Sequence, residues 1–304
     1  MVAKQTADSK ESRKRRATVE ALDALLGREL PVLDRGFVRV IDYMGDDAAV
    51  VQAARVSYGK GTKTSSEDSG LINYLMQNSH TTPFEMCEIK LHVKLPIFVA
   101  RQWIRHRTAS VNEYSARYSI LDNEFYLPDA IQVSKQSDSN KQGRGNPLES
   151  RTAFKVREMM ANEAAQAFGI YNQMLTGLGG SQSSLDQEAV SRELARVVLP
   201  LSTYTQWYWK IDLHNLLHFL ELRTDPHAQF EIRVYADRIL EIVKQWVPLT
   251  YRAFVEHRLE GARLSGTAVR YLSRLLAGEV LNQEQSGLSK REWRRIQEKF
   301  QLKK

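Results

Sequence analysis

The run Cys87-Glu88-Ile89-Lys90-Leu91-His92-Val93-Lys94-Leu95 alternates apolar and polar side chains almost perfectly. Side chains on a strand point to opposite faces at a period of two, so this pattern belongs to an antiparallel strand buried on one side only. Cys87 falls on the apolar side with Ile89, Leu91 and Val93, which makes it inert core rather than a nucleophile. Thr203 to Ile211 is a second clear strand, dense in aromatic and β-branched residues, and Phe37 to Tyr43 reads as a third.

Helical patterns fill the space between these strands. They run over Asp46–Ser57, over a segment ending near Asn78, over about 150–176, over 185–195 and over Asp212–Arg223. Pro96 opens another helix as its first residue, and in it Gln102, Arg105 and His106 share one face. Asp225-Pro226 reads as the start of a further helix, with Ala228, Ile232, Tyr235, Ile239, Ile242 and Trp246 on its apolar stripe and Pro248 at its end. Gly59–Ser66 reads as a polar loop, and 134–149, rich in Ser, Lys, Asn, Gln and Gly, as a surface loop or insertion.

With 304 residues, 42% of them hydrophobic, the chain can bury one good core and has room for a second. No apolar run is long enough to span a membrane, and no secretory leader is evident. A single cysteine excludes an internal disulfide and suits a reducing cytoplasm. The net charge of +7 comes from the ends: residues 1–16 carry +4 and residues 290–304 carry +5, leaving about −2 between them. The organisation expected is a disordered basic tail over 1–20, one catalytic domain over 21–264 and a basic helical extension over 265–304. A nucleic-acid-binding role for the tails is the alternative to an enzyme.

Four groups could carry chemistry. Arg105 to Tyr118 gathers three arginines, a histidine, a glutamate, two serines and an asparagine. A core would have to pair each of them, whereas a phosphorylated, hydrogen-bonding small molecule would use them directly. A surface salt-bridge network is the plain alternative. His80-Thr81-Thr82-Pro83-Phe84-Glu85 delivers a histidine, threonines and a glutamate at a sheet end, or is a capped turn. On the helix after Asp212, His214, His218 and Glu221 gather outside a broad apolar arc. Their spacing permits zinc, but Asn215 stands where a zinc protease has its glutamate, so the lining of a cofactor pocket is favoured and no metal is expected. Arg196 stands among apolar residues, so its charge calls for an internal ion pair or an anionic ligand. A Gly-rich dinucleotide fingerprint, a phosphate-binding loop and a nucleophile elbow are all missing.

Together these groups resemble the flavin-dependent thymidylate synthases. The family signature, Arg-His-Arg then seven residues and Ser, reads here as Arg105-His106-Arg107 followed by Ser115. His80–Glu85, Arg196–Pro200 and Leu222–Gln229 match further elements, so the likeness spans about 36–121 and 190–260. Met86 and Ala116 depart from the residues common at those positions.

The resemblance implies an α+β fold, an antiparallel sheet flanked by helices with a long helix-rich C-terminal half, assembled as a homotetramer with active sites at subunit interfaces. It implies methylation of dUMP with 5,10-methylenetetrahydrofolate as carbon donor, FAD as redox cofactor and NADPH as reductant, without a cysteine nucleophile. Gln102, Arg105, Glu113, Ser115, Ala116, Arg117, Arg196 and Arg223 would bind dUMP, with Arg223 also the catalytic residue that stabilises charge on the uracil. Ser57, Thr82, Glu85, Arg105, His106, Arg107, Thr108, Asp212, His214 and His218 would contact FAD. His80 and Tyr118 would lie on the folate side.

Overall fold

The computed structural model describes residues 16–56, 65–138, 142–177 and 189–302. Its elements in chain order are α1 (Glu20–Asp23), β1 (Glu29–Val32), β2 (Gly36–Met44), α2 (Asp47–Val56), α3 (Ser65–Gln77), α4 (Thr82–Glu85), β3 (Glu88–Pro96), α5 (Ile97–Trp103) and β4 (Ser110–Glu113). There follow β5 (Ser134–Gln136), β6 (Arg144–Pro147), α6 (Ser150–Thr176), α7 (Arg192–Ala195), β7 (Tyr204–Asp212), α8 (Leu213–Arg223), α9 (Phe230–Trp246), α10 (Pro248–Phe254), α11 (Gly266–Leu276) and α12 (Lys290–Lys299).

The main sheet has the order β1-β2-β3-β7-β4, antiparallel throughout. Its central pair is the alternating strand β3 against β7, with Leu91 opposite Trp209 and Val93 opposite Trp207. Ile89, Leu91, Val93, Trp207, Trp209 and Ile211 are all buried, and helices α5, α8 and α9 cover that face. Trp103, the last residue of α5, sits at the junction. Its ring stacks on Phe219 at 4.7 Å and meets Trp207, Trp209 and Tyr235 edge-on at 5.8, 5.1 and 5.9 Å. Aromatic edges in such contacts are a large source of core stability.

The apolar stripe of α9 is buried from Ile232 to Trp246, as its spacing demands. Its start differs from the expectation. Asp225-Pro226 lies in a turn, where Asp225 Oδ1 accepts from the His227 amide at 2.7 Å, and the helix begins only at Phe230. An aspartate side chain can close a turn as readily as it caps a helix. Pro96 likewise ends β3 and N-caps α5 rather than occupying its first position. That helix stops at Trp103, so Arg105 and His106 lie in the turn beyond it. The 134–149 segment is no plain loop, since β5 and β6 pair within it. Helix α6 spans Ser150–Thr176, whereas only Arg192–Ala195 of the 185–195 segment is helical among the described residues.

Contacts divide the chain into two compact units, residues 1–251 and 252–304. The second has its own small core of Ala268, Tyr271, Leu288 and Ile296, against which Trp293 packs. No helix among the described residues is long and apolar enough to cross a membrane.

Candidate active site around the exit of helix α5

The chain leaves α5 at Trp103 and turns through Arg105-His106-Arg107-Thr108 before pairing as β4 with β7. Burial of Trp103 fixes where the turn begins, and the short edge strand fixes where it ends. Between these anchors His106 is half-buried, its ring 4.9 Å from Phe219 and 6.1 Å from His218 of α8. Arg223, in the last turn of α8, donates from Nε to His106 Nε2 at 3.0 Å.

Burial and this neighbouring charge determine the imidazole's state. Burial, then the Arg223 charge, then His218 push the His106 pKa down from 6.5 to about 4. The ring is therefore neutral at pH 7, and with Nε2 accepting, the proton sits on Nδ1. Arg223 is itself half-buried, and desolvation lowers its pKa. The pair thus offers an imidazole N–H and a partly desolvated guanidinium held in place by its Nε hydrogen bond.

Beyond β4, Thr205 donates to Glu113 Oε1 at 2.8 Å, holding that carboxylate against β7. Ser115 Oγ accepts from the Arg117 amide at 3.3 Å, and the Tyr118 and Ser119 amides fold back onto the Ser115 carbonyl at 3.1 Å each. Its hydroxyl hydrogen stays available to an anion. Arg117 reaches Glu193 of α7 at 3.3 Å, and Arg192 holds the Tyr118 carbonyl at 2.7 Å. Arg196 donates to the Glu193 carbonyl at 3.3 Å, so two arginines meet one residue. Arg196 is exposed on a 3₁₀ turn, which removes the internal ion pair as a reading and leaves the anionic ligand: its apolar neighbour Val197 is 74% exposed.

Helix α4, carrying Thr82 and Glu85, packs beside α8 with His214 and His218. His80 stands exposed just before it, edge-on to Tyr74 at 5.6 Å. On α8, Leu213, Leu216, Leu217, Phe219 and Leu220 are buried while His214, His218 and Glu221 lie outside that arc. Asp212 caps the helix, accepting from the Asn215 amide at 2.9 Å and the Asn215 side chain at 2.7 Å. Arg105, Arg107 and Thr108 are exposed, Ala116 is buried, and Ser57 lies outside the described residues. Among the described residues no group of three or more His, Cys, Asp or Glu is placed to hold a metal.

One contributor, Glu231, escaped the sequence. Gln102 donates to Gln229 at 2.9 Å, and Gln229 donates onward to Glu231 at 2.9 Å. Glu231 sits between Phe230 and Ile232 at the head of an apolar stripe, where local pattern gives no sign of its partners. Cys87 is fully buried and its thiol is pushed up to about 12, chiefly by burial, so it is no thiolate at neutral pH.

The family model for thymidylate synthase complementing proteins matches residues 39–249. A flavin-dependent thymidylate synthase of Gluconobacter oxydans (strain 621H) is 61% identical over 91% of this chain and 89% of that protein. One from Rickettsia conorii (strain ATCC VR-613 / Malish 7) is 57% identical over 94% of this chain and 98% of that protein. Among solved structures, the UMP/dUMP methylase PolB from Streptomyces cacaoi, bound with 5-Br dUMP, aligns with a TM-score of 0.66 at 31% identity. That alignment covers 75% of this chain and 98% of PolB. None of these proteins is named for binding nucleic acid, and the tail-based alternative gains no support from them. This chain belongs to the flavin-dependent thymidylate synthases.

Proposed function

We propose that the protein converts dUMP to dTMP, taking the carbon from 5,10-methylenetetrahydrofolate and reducing equivalents from NADPH through FAD. The observation that carries the site assignment is the charge state of the α5 exit. Among the described residues Arg105 and Arg107 form no ion pair, while the neutral His106 beside them is held by Arg223. Such a donor-rich turn fits an anionic dinucleotide, and the residues that would hold FAD are Arg105, His106, Arg107 and Thr108 with Ser57, Thr82, Glu85, Asp212, His214 and His218. When bound, the flavin supplies the hydride that reduces the transferred carbon to a methyl group.

The remaining work falls to the chain. Arg117, Arg196 and Ser115 orient the nucleotide's phosphate, while Gln102, Arg105, Glu113 and Ala116 frame its sugar and base. Arg223 stabilises negative charge on the uracil as C5 becomes nucleophilic, its guanidinium already aimed by His106. His80 and Tyr118 line the folate side. Cys87 takes no part. Tyr118, Val197 and Leu201 are 76%, 74% and 66% exposed, large apolar surfaces beside the nucleotide residues that subunit contacts in a homotetramer would cover. A cytoplasmic location goes with this reading, supported by the single, free cysteine, which suits a reducing compartment.

The test is dUMP-dependent oxidation of NADPH in the presence of methylenetetrahydrofolate, followed together with dTMP. Stoichiometric coupling of the two is expected. NADPH oxidation that ignores dUMP and yields no dTMP would overturn the assignment.

A further inference from the structure

Glu231, at the start of α9, is a carboxylate only 1% exposed. Three donors converge on it. Tyr126 gives its hydroxyl hydrogen to Oε1 at 3.1 Å, Arg144 of β6 forms an ion pair with the same oxygen, and Gln229 donates from Nε2 to Oε2 at 2.9 Å. Burial and the Glu231 charge raise the Tyr126 pKa, so that phenol remains a donor. A carboxylate receiving three hydrogens has acceptor character only.

This settles the orientation of two amides. Gln229 must turn its NH₂ toward Glu231, which leaves its Oε1 on the other side as an acceptor. Gln102 lies 2.9 Å from that oxygen and must therefore turn its own NH₂ inward. With either amide reversed, two carbonyl oxygens or two NH₂ groups would face each other, and one bond of the relay would become a repulsion.

We propose that Glu231 is a positioning residue for nucleotide recognition: through Gln229 it locks Gln102 with its carbonyl outward, to accept a hydrogen bond from the nucleotide. The idea rests on Gln102 as a dUMP contact. The groups on dUMP able to donate are the uracil N3–H and the sugar 3′-hydroxyl. A Gln102 released from this anchor would both flip and swing, presenting its carbonyl to that donor only about a fifth of the time and weakening binding without touching the reacting atoms.

The test measures dUMP affinity and steady-state kinetics in the FAD-loaded enzyme for wild type, Gln229→Leu, Gln102→Met and the double variant. Gln229→Leu leaves Tyr126, Arg144 and Glu231 in place, so it carries the test even where Glu231→Gln fails to fold. It should raise KM for dUMP about fivefold, with kcat within about twofold of wild type. In the Gln102→Met background it should add nothing, because its effect passes through Gln102. An unchanged KM in Gln229→Leu, or full additivity in the double variant, would overturn the relay. A second arm uses 2′,3′-dideoxyuridine monophosphate: if the Gln229→Leu penalty vanishes, Gln102 reads the 3′-hydroxyl, and if it persists, Gln102 reads N3–H. Wild-type enzyme that binds no dUMP would instead remove the functional reading, and the relay with it.

Discussion

An arginine donating to a histidine ring is informative because both side chains can carry a positive charge. Arg223 keeps its charge, so His106 is held neutral, and the causes are burial first and then the Arg223 charge beside it. The consequence for pH follows from linkage. In the unfolded chain the imidazole takes a proton near its ordinary 6.5, but in the folded protein it does so only near 4. Between those values the unfolded state binds more protons, so His106 makes the fold less stable as pH falls from about 6.5 to about 4. Arg223→Ala removes the charge but not the burial. It should raise the His106 pKa part of the way, seen as a shifted imidazole C–H titration by NMR, and flatten this pH dependence. Turnover should fall by about a hundredfold or more while FAD stays bound, checked by absorbance after gel filtration. An unshifted titration or intact turnover would sink the assigned role. Cys87→Ser tests the opposite case, a buried group with no chemistry. A hydroxyl can still donate to the Asp46 carbonyl that the thiol meets at 3.4 Å, so thermal denaturation should show a loss of about 1 kcal/mol with full activity.

At the scale of elements, packing tolerance decides. Gly36 opens β2 where a Cβ would collide with the Tyr235 hydroxyl of α9 and lie 2.8 Å from the Lys94 carbonyl. Tyr235 donates to that same carbonyl at 2.6 Å. Gly36→Ala should therefore part α9 from the sheet and cost about 2 kcal/mol, measured by denaturant unfolding. An unchanged midpoint would mean that strand and helix can separate freely here. The sheet and long helices were legible in the sequence because β3, β7, α6 and α9 each carry a hydrophobic period that only one structure can bury. Element starts were less legible. Asp225 had two uses for its carboxylate, in a turn or at a helix cap, and only the tertiary setting chose the turn. The α5 boundary was hidden for a similar reason, since Trp103 ends the helix by burying itself among residues more than a hundred positions away. Most of the proposed site was visible as composition, in Arg105–Arg107 and Ser115. Glu231 was not, because a carboxylate inside an apolar pattern shows its purpose only once Tyr126, Arg144 and Gln229 are brought to it.

For the molecule as a whole, the positive charge concentrated in the first 16 and last 15 residues leaves a nearly neutral catalytic body. A body of that kind, with apolar side chains such as Tyr118 and Val197 exposed near the residues proposed to hold the nucleotide, is suited to self-association. Light scattering on the purified protein should give a mass near four times 34.9 kDa. A stable monomer with full activity would remove the interface from the site. The aromatic knot behind the α5 exit has an optical consequence. Three of the five tryptophans, Trp103, Trp207 and Trp209, lie together there, directly behind the turn that carries His106. Indole emission overlaps the near-ultraviolet absorption of an isoalloxazine ring, so energy absorbed by this knot would pass to a flavin held at the turn. With FAD at the proposed site the protein would carry its own gauge of cofactor occupancy: its tryptophan light should dim as flavin arrives and recover as it leaves.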